Sequence, residues 1–186
     1  MKGFVIKMLK KKLPVSYCYH NCEHTLYVME KVVEIAKQEN CTAQEINLLS
    51  TAALWHDAGY IHTYYGHEEE GCTLAGQYLP GYGFSINEIN KIAGMIMATK
   101  MPQTPKNKLE EIIADADLEY LGTMNAAEKA DLLFEELHSL TPALTKAAWN
   151  KMQIAFLQLH HYYTPYCKKL KEPLKTAYLN ELLEGQ

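Results

Sequence analysis

The apolar residues of this chain recur at intervals of three and four, which places them on one face of an α-helix. The pattern is clearest over residues 21–39, where Asn21 is a predicted N-cap. Capping-box sequences at Thr42–Glu45 and at Ser85–Glu88 predict that two further helices begin there and run to about residues 56 and 98. No segment shows the alternation that is typical of a strand, so the sequence predicts an all-α fold.

Further helices are predicted where segments with the same apolar periodicity are bounded by glycine or proline. They cover residues 67–79, 109–121, 125–139, 143–163 and 174–183, and a lysine-rich helix is expected at the N-terminus. Residues 99–108 are predicted to be a basic loop marked by prolines. No linker divides the chain, which predicts one domain over residues 1–186. Residues 140–186 could form a lid, an interface or additional core.

The composition is ordinary for a globular protein, with 48% hydrophobic and 22% charged residues. A net charge of −4 does not indicate broad attraction to nucleic acid or to an anionic membrane. No stretch approaches the roughly 20 apolar residues that span a bilayer. The five cysteines are scattered and odd in number, which fits a reducing compartment. We therefore expect a cytoplasmic protein without nucleic-acid or membrane partners. The sequence is also compatible with a homodimer.

The adjacent residues His56 and Asp57 are the first candidate for chemistry. They follow an apolar helical run and precede Gly59, a residue suited to follow the end of a helix. An imidazole and a carboxylate are both ligands for divalent metals. Adjacent helical residues point about 100° apart, so both side chains reach one ion only where the helix end is distorted. The pair is a weak indication by itself, because such dipeptides occur by chance.

Two further motifs accompany this pair in chain order. Tyr19-His20-Asn21-Cys22-Glu23-His24 precedes it, and Ala114-Asp115-Ala116-Asp117-Leu118 follows it. The order His … His-Asp … Asp on successive helices resembles the HD superfamily of metal-dependent phosphohydrolases, over roughly residues 15–125. The resemblance implies a compact helical bundle that binds a divalent cation such as Mn, Fe, Zn or Mg. The ligands that it implies are His24, His56, Asp57 and Asp117.

The third motif leaves two registers open, because it contains two carboxylates. Asp115 and Asp117 diverge at positions i and i+2 of a helix, so at most one of them faces the site fully. The last motif of the superfamily usually reads Ala-Asp followed by an apolar or basic residue, which residues 116–118 fit better than residues 114–116. We predict Asp117 as the ligand and keep Asp115 as the alternative.

The resemblance also implies roles for side chains around the metal. His20 stands where cyclic-nucleotide phosphodiesterases, distant members of the superfamily, have a general acid, and a histidine pKa of about 6.5 suits proton transfer. Asp57 and His67 are the other predicted catalytic residues. His67 is also a candidate for binding the substrate, since many HD proteins have a histidine at the head of that helix. Lys100 and Lys106 are candidate phosphate clamps, against the alternative of a solvated loop.

These residues predict a metal-dependent phosphohydrolase in which a metal-activated water attacks a nucleotide or related small phosphoester. A general acid at His20 weakly favours a phosphodiester, because alkoxide departure gains most from protonation. The alternative is a catalytically weak HD-fold module that senses a nucleotide or binds a partner. A di-iron oxygenase is least favoured, because Ala98-Thr99-Lys100 stands where such proteins have another histidine.

Overall fold

The computed structural model describes residues 1–185, and this part of the chain is built from α-helices with no strand. The all-α prediction is confirmed. The single-domain prediction extends to Gln186, which lies outside the described residues. In chain order the helices are α1 (Lys2–Lys12), α2 (Cys22–Gln38), α3 (Ala43–Trp55), α4 (His67–Tyr78), α5 (Ile86–Ala98), α6 (Lys108–Asp117), α7 (Ala126–Leu140), α8 (Lys146–Leu159), α9 (Pro165–Leu170) and α10 (Glu172–Glu184).

The helix starts that the sequence predicts are confirmed by their capping hydrogen bonds. The Asn21 side chain accepts from the backbone N–H groups of Glu23 and His24, at 2.8 and 3.2 Å. Thr42 and Ser85 each form a complete capping box with the glutamate three residues later. These bonds satisfy backbone donors that have no partner within the first turn. His24 is thereby held in the first turn of α2.

The first hydrophobic cluster lies among α2, α3, α5 and α6. Helix α2 packs on α3 and α6, and α5 packs on α3, α4 and α6. Val28, Val32 and Ile35 are completely buried on the inner face of α2, at the helical spacing seen in the sequence. Burial of each such side chain contributes roughly 1.5–3 kcal/mol to folding. This cluster fixes the helices that carry the predicted metal ligands.

The second hydrophobic cluster is built mainly from the C-terminal helices. Trp149 and Leu157 of α8 and Tyr178 of α10 pack with Leu121, which lies in the 3-10 turn Glu119–Gly122 after α6. Tyr19, from the loop before α2, belongs to the same cluster. The C-terminal part therefore adds core to the molecule and packs against the loop that contains His20.

Two predicted helix ends are wrong. The first is explained by a tertiary contact and the second by a local change in backbone geometry. The helix predicted over residues 143–163 ends at Leu159, because His160 to Tyr163 are held in extended form against α6. The helix predicted over residues 109–121 ends at Asp117, since Leu118 leaves helical geometry and a 3-10 turn follows. Within residues 1–185, no helix has the length and apolar character needed to cross a membrane.

Candidate metal centre

The four predicted metal ligands lie at helix ends that meet in the interior. His24 is in the first turn of α2, His56 directly follows α3, and Asp117 is the last residue of α6. Asp57 has φ −98° and ψ 5°, so the chain has already left the α-helix there. This is the distorted helix end that adjacent ligands require. His56 and Asp57 therefore turn their side chains toward the same point.

The potential ligand atoms of His24, His56 and Asp117 lie within 3.5 Å of one another, and Asp57 Oδ2 lies beside both histidines. His24 Nε2 lies 3.0 Å from Asp117 Oδ1, and 3.4 Å from both His56 Nε2 and Asp57 Oδ2. His56 Nε2 lies 3.2 Å from Asp57 Oδ2 and 3.5 Å from Asp117 Oδ1. Ligand atoms about 2.0–2.2 Å from one ion are about 3.0–3.5 Å apart when the angles between them are octahedral to tetrahedral. The spacing therefore fits a single divalent cation.

The hydrogen bonds around the cluster also fit a metal. His56 Nδ1 donates to the carbonyl oxygen of Ala53 at 2.8 Å, which directs the lone pair of Nε2 into the cluster. Asp57 Oδ2 is buried and has no hydrogen-bond partner, a costly state that a bound cation would relieve. Burial opposes ionisation of Asp57, but in the metal-free protein the charge of a protonated His56 holds the pKa of that carboxyl well below its usual value. Metal binding to His56 Nε2 would release that proton. His24, His56 and Asp117 form a group that could hold a metal ion, and Asp57 Oδ2 lies outside this group but beside its two histidines.

His67 lies beside the cluster on the side of the second Asp57 oxygen. Its Nε2 is 3.6 Å from Asp57 Oδ1, and its Nδ1 donates to the carbonyl oxygen of Tyr64 at 3.2 Å. The ring stacks on Tyr60 with centroids 3.8 Å apart. Gly59 makes this approach possible, because a Cβ atom there would lie 1.9 Å from the carbonyl oxygen of His67. The glycine thus brings the start of α4 against the His-Asp pair.

Glu136 of α7 is a candidate functional residue that no sequence motif marks. Its side chain is completely buried, and Oε1 contacts His20 Nδ1 in a short hydrogen bond. Oε2 accepts from the backbone N–H groups of Tyr19 and His20, at 2.9 and 3.0 Å. The Tyr64 hydroxyl donates to Oε1 at 3.1 Å. Glu136 therefore fixes both the backbone and the imidazole of His20.

The contact with Glu136 contributes to the protonation of His20. Burial by itself would lower the pKa of the imidazole, but the hydrogen bond with Glu136 and the charges of Asp57, Glu136 and Asp117 together outweigh burial and raise the pKa above its usual value. A larger fraction of His20 is therefore protonated at neutral pH. With Nδ1 bound to Glu136, the N–H group at Nε2 is the one that can be given to a substrate.

Asp115, the alternative ligand, lies outside the cluster. Its Oδ1 accepts from the backbone of Tyr163 at 2.8 Å. Its Oδ2 accepts from the backbone and the hydroxyl of Thr164, at 2.8 and 2.6 Å. Thr164 is the N-cap of α9, so this buried carboxylate anchors the chain between α8 and α9. The structure brings Asp117 rather than Asp115 to the other ligands.

The two predicted phosphate clamps differ in position. Lys100 lines the same cavity as Asp57 and Asp117, and its ammonium group pairs with Glu69. Lys106 is exposed and lies outside the cavity lining, and its backbone N–H donates to Glu110. The structure therefore brings Lys100 to the site but does not bring Lys106 there.

A single cavity joins the residues of the site. It has a volume of about 540 Å³, and His20, Asp57, His67 and Asp117 line one part of it. This volume is in the range of about 300–1,000 Å³ that is common for ligand sites. Much of the remaining wall is apolar and comes from α7 and α8. The candidate acid and the candidate metal ligands thus face one space that admits a small molecule.

Comparisons with known proteins agree with this architecture. No curated protein matches the chain. The fold is similar to that in a crystal structure of a predicted HD superfamily hydrolase from an uncultured Thermotogales bacterium, with a TM-score of 0.64. That match has 22% sequence identity and covers 98% of this chain and 88% of the other, which shows a common fold. The family model of the HD domain, a family of typically metal-dependent phosphohydrolases that bind divalent metals, matches residues 21–119. The chain therefore belongs to the HD-domain family.

Proposed function

We propose that this protein is a metal-dependent phosphohydrolase whose cation is held by His24, His56, Asp57 and Asp117. The observation that carries the proposal is the group of ligand atoms from His24, His56 and Asp117, with the buried and unpartnered Asp57 Oδ2 beside both histidines. Asp57 and Asp117 also line the cavity that His20 lines. Mn, Fe, Zn and Mg are all compatible with mixed histidine and carboxylate ligands.

The chemistry divides between the cation and the side chains around it. A divalent cation at this cluster supplies a water of lowered pKa and positive charge for the phosphoryl oxygens. His67 and Lys100 border the same space and bind the phosphate oxygens that face away from the cluster. The buried Glu136 keeps His20 oriented and protonated while the substrate binds.

His20 completes the proposed reaction by supplying a proton. A bond forms between phosphorus and the oxygen of water, and the bond between phosphorus and the ester oxygen breaks. The ester oxygen leaves with the electron pair and accepts the proton from His20 Nε2. A proton from the attacking water passes to solvent. Since an alkoxide is a poor leaving group, this acid is most useful for esters of ordinary alcohols, either phosphomonoesters or phosphodiesters.

A nucleotide is the substrate class that the sequence resemblance implies, and its phosphate group suits the polar part of the cavity. The wall of the remaining cavity does not favour a nucleotide, because it offers a nucleobase few hydrogen bonds. The proposed function requires only that the substrate is a phosphoester. Nucleotides therefore belong in the test panel beside simpler esters.

The proposed function is tested by phosphate release and ester cleavage in the presence of Mn²⁺. The panel contains alkyl phosphates, bis(p-nitrophenyl) phosphate, nucleoside monophosphates and cyclic nucleotides. We expect hydrolysis of at least one class, loss of activity with a chelator, and its return with added metal. A protein that takes up metal fully yet cleaves none of these compounds would contradict the proposal and favour the sensing module.

A further inference from the structure

Beyond the polar part of the cavity lies a region that we name the apolar chamber. Its wall comprises Leu133 and Leu137 of α7 together with Trp149, Met152, Phe156 and Leu157 of α8. Leu133 and Leu137 are four positions apart, and Trp149, Met152 and Phe156 recur at intervals of three and four with Leu157 next to Phe156, so each helix turns one apolar face toward the cavity. Both helices lie outside residues 21–119, the segment that the HD-domain family model matches. The chamber is therefore built from a part of this chain that the family match does not cover.

The chamber offers little to a polar ligand. Helix α8 contributes two polar side chains to the cavity lining: Trp149, whose buried Nε1 has no hydrogen-bond partner among the described residues and can donate one bond, and Gln153, which is 8% exposed. Its Oε1 already accepts a hydrogen bond from the Tyr178 hydroxyl at 2.9 Å. A nucleobase carries several donors and acceptors, and to bury them without partners costs binding energy. A hydrocarbon group, in contrast, gains from burial against these same side chains.

The chamber is continuous with the candidate catalytic groups. His20, Asp57 and Asp117 line the same cavity, so an ester whose phosphate lies at the polar part has space for its substituent against α7 and α8. Leu137 is the neighbour of Glu136, the residue that holds His20, so the acid and the apolar wall are fixed by the same helix. Met152 is 53% exposed, which leaves the chamber open to solvent on the side of α8.

We propose that the apolar chamber binds the hydrocarbon part of the substrate, which is a phosphate ester of a hydrophobic alcohol. The proposal rests on the proposed function, since it names the substrate class of that same site. The ester oxygen that His20 protonates is then the oxygen of an alkyl or alkenyl alcohol. Water and the phosphoester are the sole reactants, and the products are the free alcohol and a phosphate group.

Binding of alkylphosphonic acids tests the chamber without turnover, because their carbon–phosphorus bond replaces the ester bond. Butyl-, hexyl- and octylphosphonic acid are titrated into the Mn²⁺-loaded protein by calorimetry. We expect Kd to fall about threefold to fourfold for each added methylene, which corresponds to about 0.8 kcal/mol per buried CH₂. A Kd that is constant along the series would overturn the proposal.

Hydrolysis of the matching alkyl phosphates and of adenosine monophosphate is measured in parallel. A rise of kcat/KM with alkyl length, with values for hexyl and octyl phosphate above that of the nucleotide, supports the proposal. Turnover of the nucleotide with no effect of alkyl length refutes the chamber but leaves the phosphohydrolase function intact. Binding that depends on alkyl length without turnover of any ester refutes the phosphohydrolase function but supports the chamber.

A matched pair of variants on α8 locates the effect. Met152 lines the chamber, whereas Leu159 is 82% exposed and lies outside the cavity lining. We expect Met152→Gln to weaken octylphosphonate binding about threefold, since one half-buried side chain loses its apolar contact. Leu159→Gln is expected to bind as the unchanged protein does. Equal affinities for the two variants would overturn the assignment of this wall.

Discussion

The imidazole of His20 and the carboxylate of Glu136 form a buried pair that joins the loop before α2 to α7. The two residues are 116 positions apart. His20 directly precedes the matched segment 21–119, and Glu136 lies beyond its other end. The candidate acid is thus oriented by a helix that belongs to the C-terminal part of the chain. Activity is expected to depend on the packing of α7 as well as on the metal ligands.

Replacement of Glu136 by glutamine should move the alkaline limb of the pH–rate profile to lower pH. A general acid must be protonated, so activity is lost as pH rises through the pKa of His20, which Glu136 raises. Without the carboxylate the pKa of His20 falls, so a smaller fraction of His20 is protonated at pH 8. For each 1.4 kcal/mol of interaction lost between protonated His20 and residue 136, kcat at pH 8 should drop about tenfold. Kinetics from pH 5 to 9 measure the shift. Glu135→Gln, an exposed neighbour, is the control, and superimposable profiles for wild type and Glu136→Gln would exclude this role.

Removal of His20 should affect substrates according to their leaving groups. His20→Ala is expected to lower kcat for an alkyl ester about 10²- to 10⁴-fold, the usual contribution of a general acid. An ester of p-nitrophenol should lose much less, because that leaving group departs without protonation. The ratio of the two losses is the measurement. An equal loss for both esters would mean that His20 acts in some way other than proton donation.

Asp115 is predicted to support stability and not metal binding. Asp115→Ala leaves two backbone N–H groups and one hydroxyl without their buried acceptor, which should lower the free energy of unfolding by about 2–4 kcal/mol. Urea unfolding measures this change. Asp131→Ala, at an exposed surface pair, should change stability by less than about 0.5 kcal/mol. Equal stabilities of the two variants would contradict the anchoring role.

Lys100 and Lys106 should differ in their effect on substrate binding. Lys100 borders the cavity, and Lys106 does not line it. Lys100→Ala is expected to raise KM about threefold to tenfold with little change in kcat, as for loss of a solvent-exposed charge-assisted contact. The effect should weaken at high salt. Lys106→Ala should leave KM unchanged, and a larger effect there than at Lys100 would contradict the placement of the clamp.

Gly59 should tolerate no side chain, in contrast to Gly76 on α4. A Cβ atom at position 59 would overlap the carbonyl of His67, so Gly59→Ala must displace the start of α4 and should destabilise the protein by about 1–3 kcal/mol. A Cβ atom at position 76 meets no atom within 4 Å. Gly76→Ala should therefore raise stability by up to about 1 kcal/mol. Thermal unfolding of both variants shows whether Gly59→Ala lowers stability and Gly76→Ala raises it.

Local sequence predicts the features of this protein that depend on neighbouring residues. The caps at Asn21, Thr42 and Ser85 form as expected, because a cap needs only residues two or three positions away. Spacing alone also requires Asp115 and Asp117 to face different surroundings, and the structure shows which of the two meets the histidines.

Contacts between distant parts of the chain cannot be predicted from neighbouring residues in the sequence. The helix α8 stops at Leu159 because Asp115 binds the backbone of Tyr163 and Thr164, a contact that no local pattern in α8 encodes. The pairing of Glu136 with His20 has the same character. Glu136 is one of several acidic residues on α7, and only the packed structure distinguishes it from the others.

Elemental analysis of the purified, untagged protein tests most directly whether His24, His56, Asp57 and Asp117 hold one divalent cation. Wild type, Asp117→Ala and Asp115→Ala are compared after incubation with Mn²⁺ and removal of free metal. We predict one divalent ion per chain in wild type and Asp115→Ala, and loss of the ion in Asp117→Ala. Full metal content in Asp117→Ala, or a wild-type protein that retains no metal, would contradict the account.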